Sequence, residues 1–388
     1  MRIGIIGAGH AGVEAARQAR DRGADVVLFS GESVLPYFRP RVVALAFGQV
    51  EPDAISIRPK DWYGQNGIDL RLDCPVTELD ARTKTVVARG RRETFDGLVI
   101  ATGAAPVLLP FVRELPDDAI ALWDVRRSLA IREKLGTARH VAVLGGGISG
   151  VEAALYAVDA GLAVTIIERE NRLMPMQFGD RAAGVLAARL RDKGIHLTLG
   201  LWAESVSRTG RGLEVVLNDG ETILCDLLVT TVGAVCDVAL FERAGLRTDR
   251  GVLVDDCLQT AMPGVFACGD IAQRDGRRTA SVMRATRQGR AAGTNVVAAA
   301  EGREPEPVPE IVVPLSFKHE DMEFHAVGPP RGTNLEEKVL PDSGADIHRS
   351  VLLENGLLRG VQMIGTSVDF RKLVSEIDQP WDRSSTHV

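Results

Sequence analysis

The residues best spaced to carry chemistry in this chain are two glycine turns, Gly7-x-Gly9-x-x-Gly12 and Gly145-x-Gly147-x-x-Gly150. Such a turn breaks no bonds; it holds a pyrophosphate. The first glycine lets the chain turn tightly off a strand. The second removes a side chain so that backbone can approach the phosphates, and the third lets helix and strand pack closely. The phosphates then lie at a helix N-terminus, where unpaired N–H groups and the dipole favour negative charge. His10 and Ala11 in the first turn, and Ile148 and Ser149 in the second, belong to the same two cradles. Two turns predict two dinucleotides, and the economical pairing is a flavin with a nicotinamide.

No comparable set of catalytic side chains is visible. The five cysteines (Cys74, Cys225, Cys236, Cys257 and Cys268) form no C-x-x-C or C-x-x-x-x-C pair,. Cys268 reads as a small buried hydrophobe rather than a nucleophile. His319 and His325 flank an acidic stretch and read as structural or surface histidines,. No catalytic residue and no metal ligand is therefore expected.

The elements that position the turns are repeated as well. Residues 2–30 read RIGIIGAGHAGVEAARQARDRGADVVLFS and residues 140–168 read HVAVLGGGISGVEAALYAVDAGLAVTIIE, aligned without a gap at an offset of 138 positions. Each copy is an apolar strand, a glycine turn, an alanine-rich helix and a second apolar strand, the dinucleotide-binding βαβ unit. In the second copy the last strand ends on Glu168, 18 residues after Gly150, close to the usual spacing of about 20 for the ribose-binding acid. A carboxylate there repels a 2′-phosphate by up to about 4 kcal/mol at about 4 Å and an effective dielectric of about 20. NADH is thereby favoured over NADPH, although Arg169 and Arg172 lie close behind and could partly accommodate the phosphate. In the first copy the equivalent position is Ser30. Glu32 can turn back to supply the acceptor there, or Ser30 alone can cap the hydroxyls.

Composition agrees with this reading. The 388 residues are 45% hydrophobic and 25% charged, with a net charge of −6, ordinary values for a soluble globular protein of two or three domains. No apolar run approaches the roughly 18 residues of a membrane span. Met1-Arg2 leads straight into the first strand, so no signal peptide is expected,. An odd, scattered set of cysteines points to a reducing, cytoplasmic setting. Net negative charge without a basic–aromatic pattern argues against nucleic acid.

Further segments carry a resemblance. Leu35-Pro36-Tyr37-Phe38-Arg39-Pro40-Arg41, Asp61-Trp62-Tyr63 with Asn66-Gly67-Ile68, and Leu98-Val99-Ile100-Ala101-Thr102-Gly103-Ala104 lie between the copies. Thr231-Val232-Gly233 and Gly264-Val265-Phe266-Ala267-Cys268-Gly269-Asp270 follow the second. Together they resemble the pyridine-nucleotide-disulfide oxidoreductase superfamily, and within it the NADH-dependent rubredoxin and ferredoxin reductase branch related to nitrite reductase flavoprotein subunits. The resemblance implies that Gly7 to Gly12 hold the FAD pyrophosphate and that Arg39 lies near the flavin. Val76 sits where backbone contacts the adenine, and Ala101-Thr102-Gly103 closes the FAD site. Gly269-Asp270 meets the ribityl hydroxyls, and Gln288-Gly289 matches a helix whose N-terminus faces the flavin. Gly145 to Gly150, Glu168 and Gly233 match the NAD site. The family's redox cysteine pair is missing, as is the single peroxidase-type cysteine near Val42-Val43-Ala44 and the C-terminal His-Pro…Glu pair.

The implied architecture is α/β: two Rossmann-like dinucleotide-binding domains, for FAD and NAD, plus a small C-terminal α+β domain. The FAD domain is expected from 1–112 and 239–305, the NAD domain from 113–238, and an interface domain from 306–388. Residues 302–309 read as a semi-rigid Pro- and charge-rich connector,. Ile311-Val312-Val313, Val351-Leu352-Leu353 and 357–364 are predicted strands, with Asn355-Gly356 as a hairpin turn. Asp382 to Val388 read as a frayed end.

The implied activity is electron transfer from NADH through FAD to an acceptor outside the chain. Arg274, Arg277, Arg278, Arg284, Arg287 and Arg290 against Asp275 form either a docking patch for a small acidic carrier, such as a rubredoxin or ferredoxin, or a solvated arginine face,. An NADH oxidase reducing dioxygen, and a redox-responsive nucleotide-binding partner protein, are the alternatives. Monomer and homodimer both remain open.

Overall fold

A computed structural model describes every residue except Thr279, 331–333, Asp342 and 382–388, so the expected frayed end lies outside the described residues. No helix among the described residues is long and apolar enough to cross a membrane. The chain divides into two compact units.

The first unit comprises Met1–Val42, Val50–Val107 and Ala234–Ile311. Its five-stranded parallel sheet runs in the order Val265–Ala267, Gly97–Ile100, Arg2–Ile6, Asp25–Phe29 and Ile68–Arg71. Strands buried on both faces are continuous apolar runs, as Gly-Leu-Val-Ile and the Val-Val-Leu-Phe that follows exposed Asp25 are,. Helix His10–Asp21 packs directly against the long helix Val282–Ala300. Small residues permit this close approach: a Cβ on Gly289 or Gly293 would strike the backbone of Ala11 or Ala15. An antiparallel sheet of Val76–Asp80, Thr85–Ala88 and Arg91–Thr94 forms an appendage.

The expected connector is tied down. Buried Asn295 donates to the Glu306 carbonyl at 2.8 Å and accepts from its N–H at 3.0 Å, while Val308 N–H donates to the Asp256 carbonyl. The short pair Ala105–Pro106 with Ala234–Val235 also belongs to this unit.

The second unit contains Val43–Gln49, Leu108–Gly233 and the described residues from Val312 onward. Its parallel sheet has the order His196–Leu199, Ala163–Glu168, His140–Leu144, Leu227–Thr230 and Ala119–Ala121. A five-stranded antiparallel sheet follows near the C-terminus, ordered Leu315–His319, Met322–Val327, Leu357–Ile364, His348–Glu354 and Glu336–Val339. The Asn355-Gly356 turn has φ of 53° and 76°, the left-handed pair a tight two-residue hairpin demands. Ile311-Val312-Val313 is not a strand; strand pairing in this stretch begins at Leu315. An apolar β-branched triplet suits a strand only when a neighbouring edge receives it, and none does here.

Candidate dinucleotide sites

The two turns have nearly the same geometry. Gly7 and Gly145 adopt φ of 106° and 102°, a region closed to residues with a Cβ. Gly7 N–H donates to the Phe29 carbonyl at 2.9 Å, and Gly145 N–H to that of Ile167 at 2.8 Å. A Cβ on Gly12 would land on the Gly7 carbonyl, and one on Gly150 on that of Gly145. A Cβ on Gly9 or Gly147 would meet nothing within 4 Å. Gly9 and Gly147 are also the N-caps of helices His10–Asp21 and Ile148–Asp159, and neither helix has a side-chain cap or an acid in its first turn. Open space before an uncapped helix N-terminus is the cradle a pyrophosphate needs. Two other long helices are capped by a side chain, Val125–Leu135 by Asp124 and Val282–Ala300 by Ser281, and Asp180–Asp192, uncapped behind Gly179, carries an acid in its first turn.

Around the first turn the structure gathers several expected residues. Ala101 N–H donates to the Ile6 carbonyl at 2.7 Å, and Gly103 takes φ of 70° beside exposed Thr102. Gly269, at φ of 77°, donates its N–H to Gln288 Oε1 at 2.9 Å, which joins the Gly-Asp motif to the long helix. Burial pushes the Asp270 carboxyl up, against the opposing pull of Arg39 and Arg278. His10 stacks edge-on against Phe38 with ring centroids 5.0 Å apart. Burial, reinforced by the Arg39 charge, lowers the His10 pKa to about 4, so the ring is neutral. Its buried Nε2 has no partner among the described residues, and an unsatisfied polar atom at the mouth of the cradle fits a site built for a polar ligand.

Ser30 is buried, its hydroxyl engaged with the Glu32 backbone. The Glu32 carboxylate accepts from Tyr37 Oη at 2.9 Å and pairs with Arg39 at 3.4 Å. Val76 starts an appendage strand, half-buried.

In the second turn Glu168 is buried, and its carboxylate accepts from Gly146 N–H at 2.5 Å and Glu170 N–H at 2.8 Å. The acid thus braces the glycine turn. Gly233 takes φ of 104° with open space where a Cβ would stand. Arg172 corrects one expectation. Its side chain turns inward, donating to the Phe178 carbonyl at 2.9 Å and pairing with Asp180 at 2.8 Å, so it is not available to a 2′-phosphate. Arg169 remains exposed.

Residues 1–289 match the family described as pyridine nucleotide-disulphide oxidoreductase. The chain belongs to this family. It is an oxidoreductase that works with a flavin and a pyridine nucleotide. It is 34% identical over 277 residues to a rubredoxin-NAD(+) reductase of Ectopseudomonas oleovorans, covering 70% of this chain and 72% of the relative. It is likewise 34% identical to a terpredoxin reductase of a Pseudomonas species, covering 80% and 76%. The crystal structure of a ferredoxin reductase for the CYP199A2 system of Rhodopseudomonas palustris superposes with a TM-score of 0.87 at 27% identity, over 98% of this chain and 96% of that one.

One titratable group of this oxidoreductase escaped the sequence reading. Glu152, on the helix that leaves the second turn, has its pKa raised to about 7 by burial alone. Its identity with Glu14 in the repeat was visible, but its isolation depends on neighbours that only folding supplies. His319 pairs with Asp159 at 2.6 Å, and Glu320 brings a third donor atom within 4.8 Å of both. His325 is buried and bonded to Ser316.

Proposed function

We propose that the chain carries reducing equivalents from NADH through FAD to a small acidic electron carrier of the rubredoxin or ferredoxin kind, without a redox disulfide. The observation that carries this reading is the pair of open, uncapped glycine cradles in a chain whose five thiols form no disulfide and in which burial holds four of them toward the protonated form. All five cysteines are unpaired. Burial pushes Cys225 and Cys268 up to about 12, and Cys236 and Cys257 upward as well. Thiol chemistry needs the thiolate.

In this reading Gly7, Gly9, His10, Ala11 and Gly12 hold the FAD pyrophosphate. Ser30, Glu32 and Val76 meet its adenosine end, and Arg39, Ala101, Thr102, Gly103, Gly269 and Asp270 line the remainder. Gly145, Gly147, Ile148, Ser149, Gly150, Glu168 and Gly233 hold NADH. Bound there, the flavin supplies the change from two-electron hydride chemistry to single-electron transfer. The chain's own work is positional. Gln288 fixes Gly269 and hence the direction of Asp270. Burial and the Arg39 charge hold His10 toward its neutral form beside the first turn. The buried Glu168 carboxylate supports NADH over NADPH, since a 2′-phosphate would meet a like charge with Arg172 turned away,.

An anaerobic titration with NADH, read in the visible flavin spectrum, tests the proposal. One equivalent should complete the bleaching without a long-lived thiolate charge-transfer band. Consumption of a second equivalent, or a colourless protein that cannot be reconstituted with FAD, would overturn it.

A further inference from the structure

We infer that the outward face of helix Val282–Ala300, made by Met283, Arg287 and Arg290 with Arg277 in the preceding turn, is the surface on which the acidic carrier docks. This rests on the carrier-reductase reading above.

Six arginines lie between residues 274 and 290, in a chain of net charge −6. The structure sorts them into two groups. Arg274 and Arg284 converge on Glu310, and Arg274 also donates to the Val308 carbonyl at 2.8 Å. Arg278 donates to the Arg250 carbonyl. These three hold the fold together. Arg277 and Arg287 are exposed, and neither guanidinium has a hydrogen-bond or ion-pair partner among the described residues. Arg290 is exposed and reaches buried Glu14 through Nε at 2.9 Å.

Positions 283, 287 and 290 follow the i, i+4, i+7 spacing of one helix face. Met283 is 51% exposed on that face, an apolar spot beside surplus positive charge. Methionine and arginine are both enriched at protein interfaces, where an apolar centre is ringed by polar groups. The nearby acids are already shared, Glu310 by Arg274 and Arg284, Asp256 with Arg274, and Glu14 by Arg290, Arg17 and Arg58, which leaves the surplus on Arg277 and Arg287. On the same helix, one residue beyond Arg287, Gln288 binds Gly269 beside Asp270. Arg287 therefore neighbours the residue that braces the candidate FAD site, near which a carrier must arrive to collect electrons. An acidic protein fits because opposite charge steers encounter, whereas the net negative chain repels a polyanion as long as a nucleic acid.

The test uses the flavin-loaded full chain, an acidic [2Fe–2S] ferredoxin and an acidic rubredoxin as probes, and a neutral quinone as a small acceptor. The measured quantity is kcat/KM from low to high ionic strength. For the preferred probe, the double variant Arg277→Glu/Arg287→Glu should lose about 10-fold or more at low salt, with a flattened salt dependence. Its flavin content and quinone rate should stay within about twofold of the parent. Arg277→Gln/Arg287→Gln should show a smaller loss in the same direction, and it serves if charge reversal impairs folding. Carrier reduction that is indifferent to salt and to both variants would overturn the docking face while leaving the carrier reading intact. A parent protein that is bleached by NADH yet reduces neither probe would overturn that reading, and the docking face with it.

Discussion

Glu14 and Glu152 occupy the same position in the two repeats, each two residues after the third glycine of its turn, yet their surroundings pull them in opposite directions. Burial raises Glu14, but Arg290 at 2.9 Å and Arg17 at 3.3 Å outweigh it and hold the carboxyl below its usual range. Glu152 has burial without a compensating cation, and its pKa rises to about 7.

This asymmetry predicts a pH signature. An acid whose folded pKa lies above its unfolded value binds more protons in the native state, so stability falls as pH rises from about 4.5 to about 7 and then levels. Glu152→Gln, neutral at every pH, should match the parent near pH 4.5 and exceed it at pH 8 by about 1–3 kcal/mol. Urea midpoints at the two pH values check this. Equal differences at both would show that Glu152 is ionised normally.

The glycines of the first turn should separate binding from folding. Gly9→Ala adds a methyl to open space, so stability should change by about 1 kcal/mol or less, while FAD retention falls by about 100-fold. Gly12→Ala drives a methyl into the Gly7 carbonyl and should cost more than about 2 kcal/mol. Thermal unfolding of the flavin-free proteins, with flavin content measured separately, distinguishes the two. A Gly9→Ala protein that keeps its flavin would show that backbone at Gly9 does not approach the phosphates.

Gln288→Ala removes the acceptor of the Gly269 N–H. Leaving that group unpaired should cost about 1–3 kcal/mol. Flavin release on dilution should quicken as Asp270 loses its fixed direction. Gln288→Glu retains an oxygen at the same place and should recover most of the loss. If both substitutions behave alike, helix packing rather than this bond is responsible.

Coenzyme choice should follow Glu168 and ignore Arg172. Glu168→Ala removes the like charge and also two braces of the turn. The KM for NADH should rise about 10- to 100-fold and the NADPH:NADH preference should shift about tenfold toward NADPH. Arg172→Ala should destabilise by about 2 kcal/mol through lost bonds to Phe178 and Asp180,, with the preference unchanged. Steady-state kinetics with both coenzymes decide this; a preference that moves with Arg172 would return it to the binding site.

Much of this protein is legible in the chain because its central device is local. A strand, three glycines at fixed spacing and an alanine-rich helix specify a turn geometry through φ values and through the close approach of the third glycine to the carbonyl of the first, both local, so Gly7–Gly12 and Gly145–Gly150 could be paired before any fold was known. Hairpin Asn355-Gly356 was readable for the same reason, since left-handed φ is a property of the residue itself. What tertiary structure decided involves residues distant in sequence. Arg172 lies four residues past Glu168, yet it faces the Phe178 carbonyl rather than a ribose. Ile311-Val312-Val313 has strand-forming side chains and no edge to join. Six similar arginines separate into braces and exposed cations because Glu310, Val308 and Arg250 reach some and not others. Glu14 and Glu152 have the same local sequence and different ionisation because the charge of a buried carboxylate is set by which guanidinium groups folding brings alongside it,.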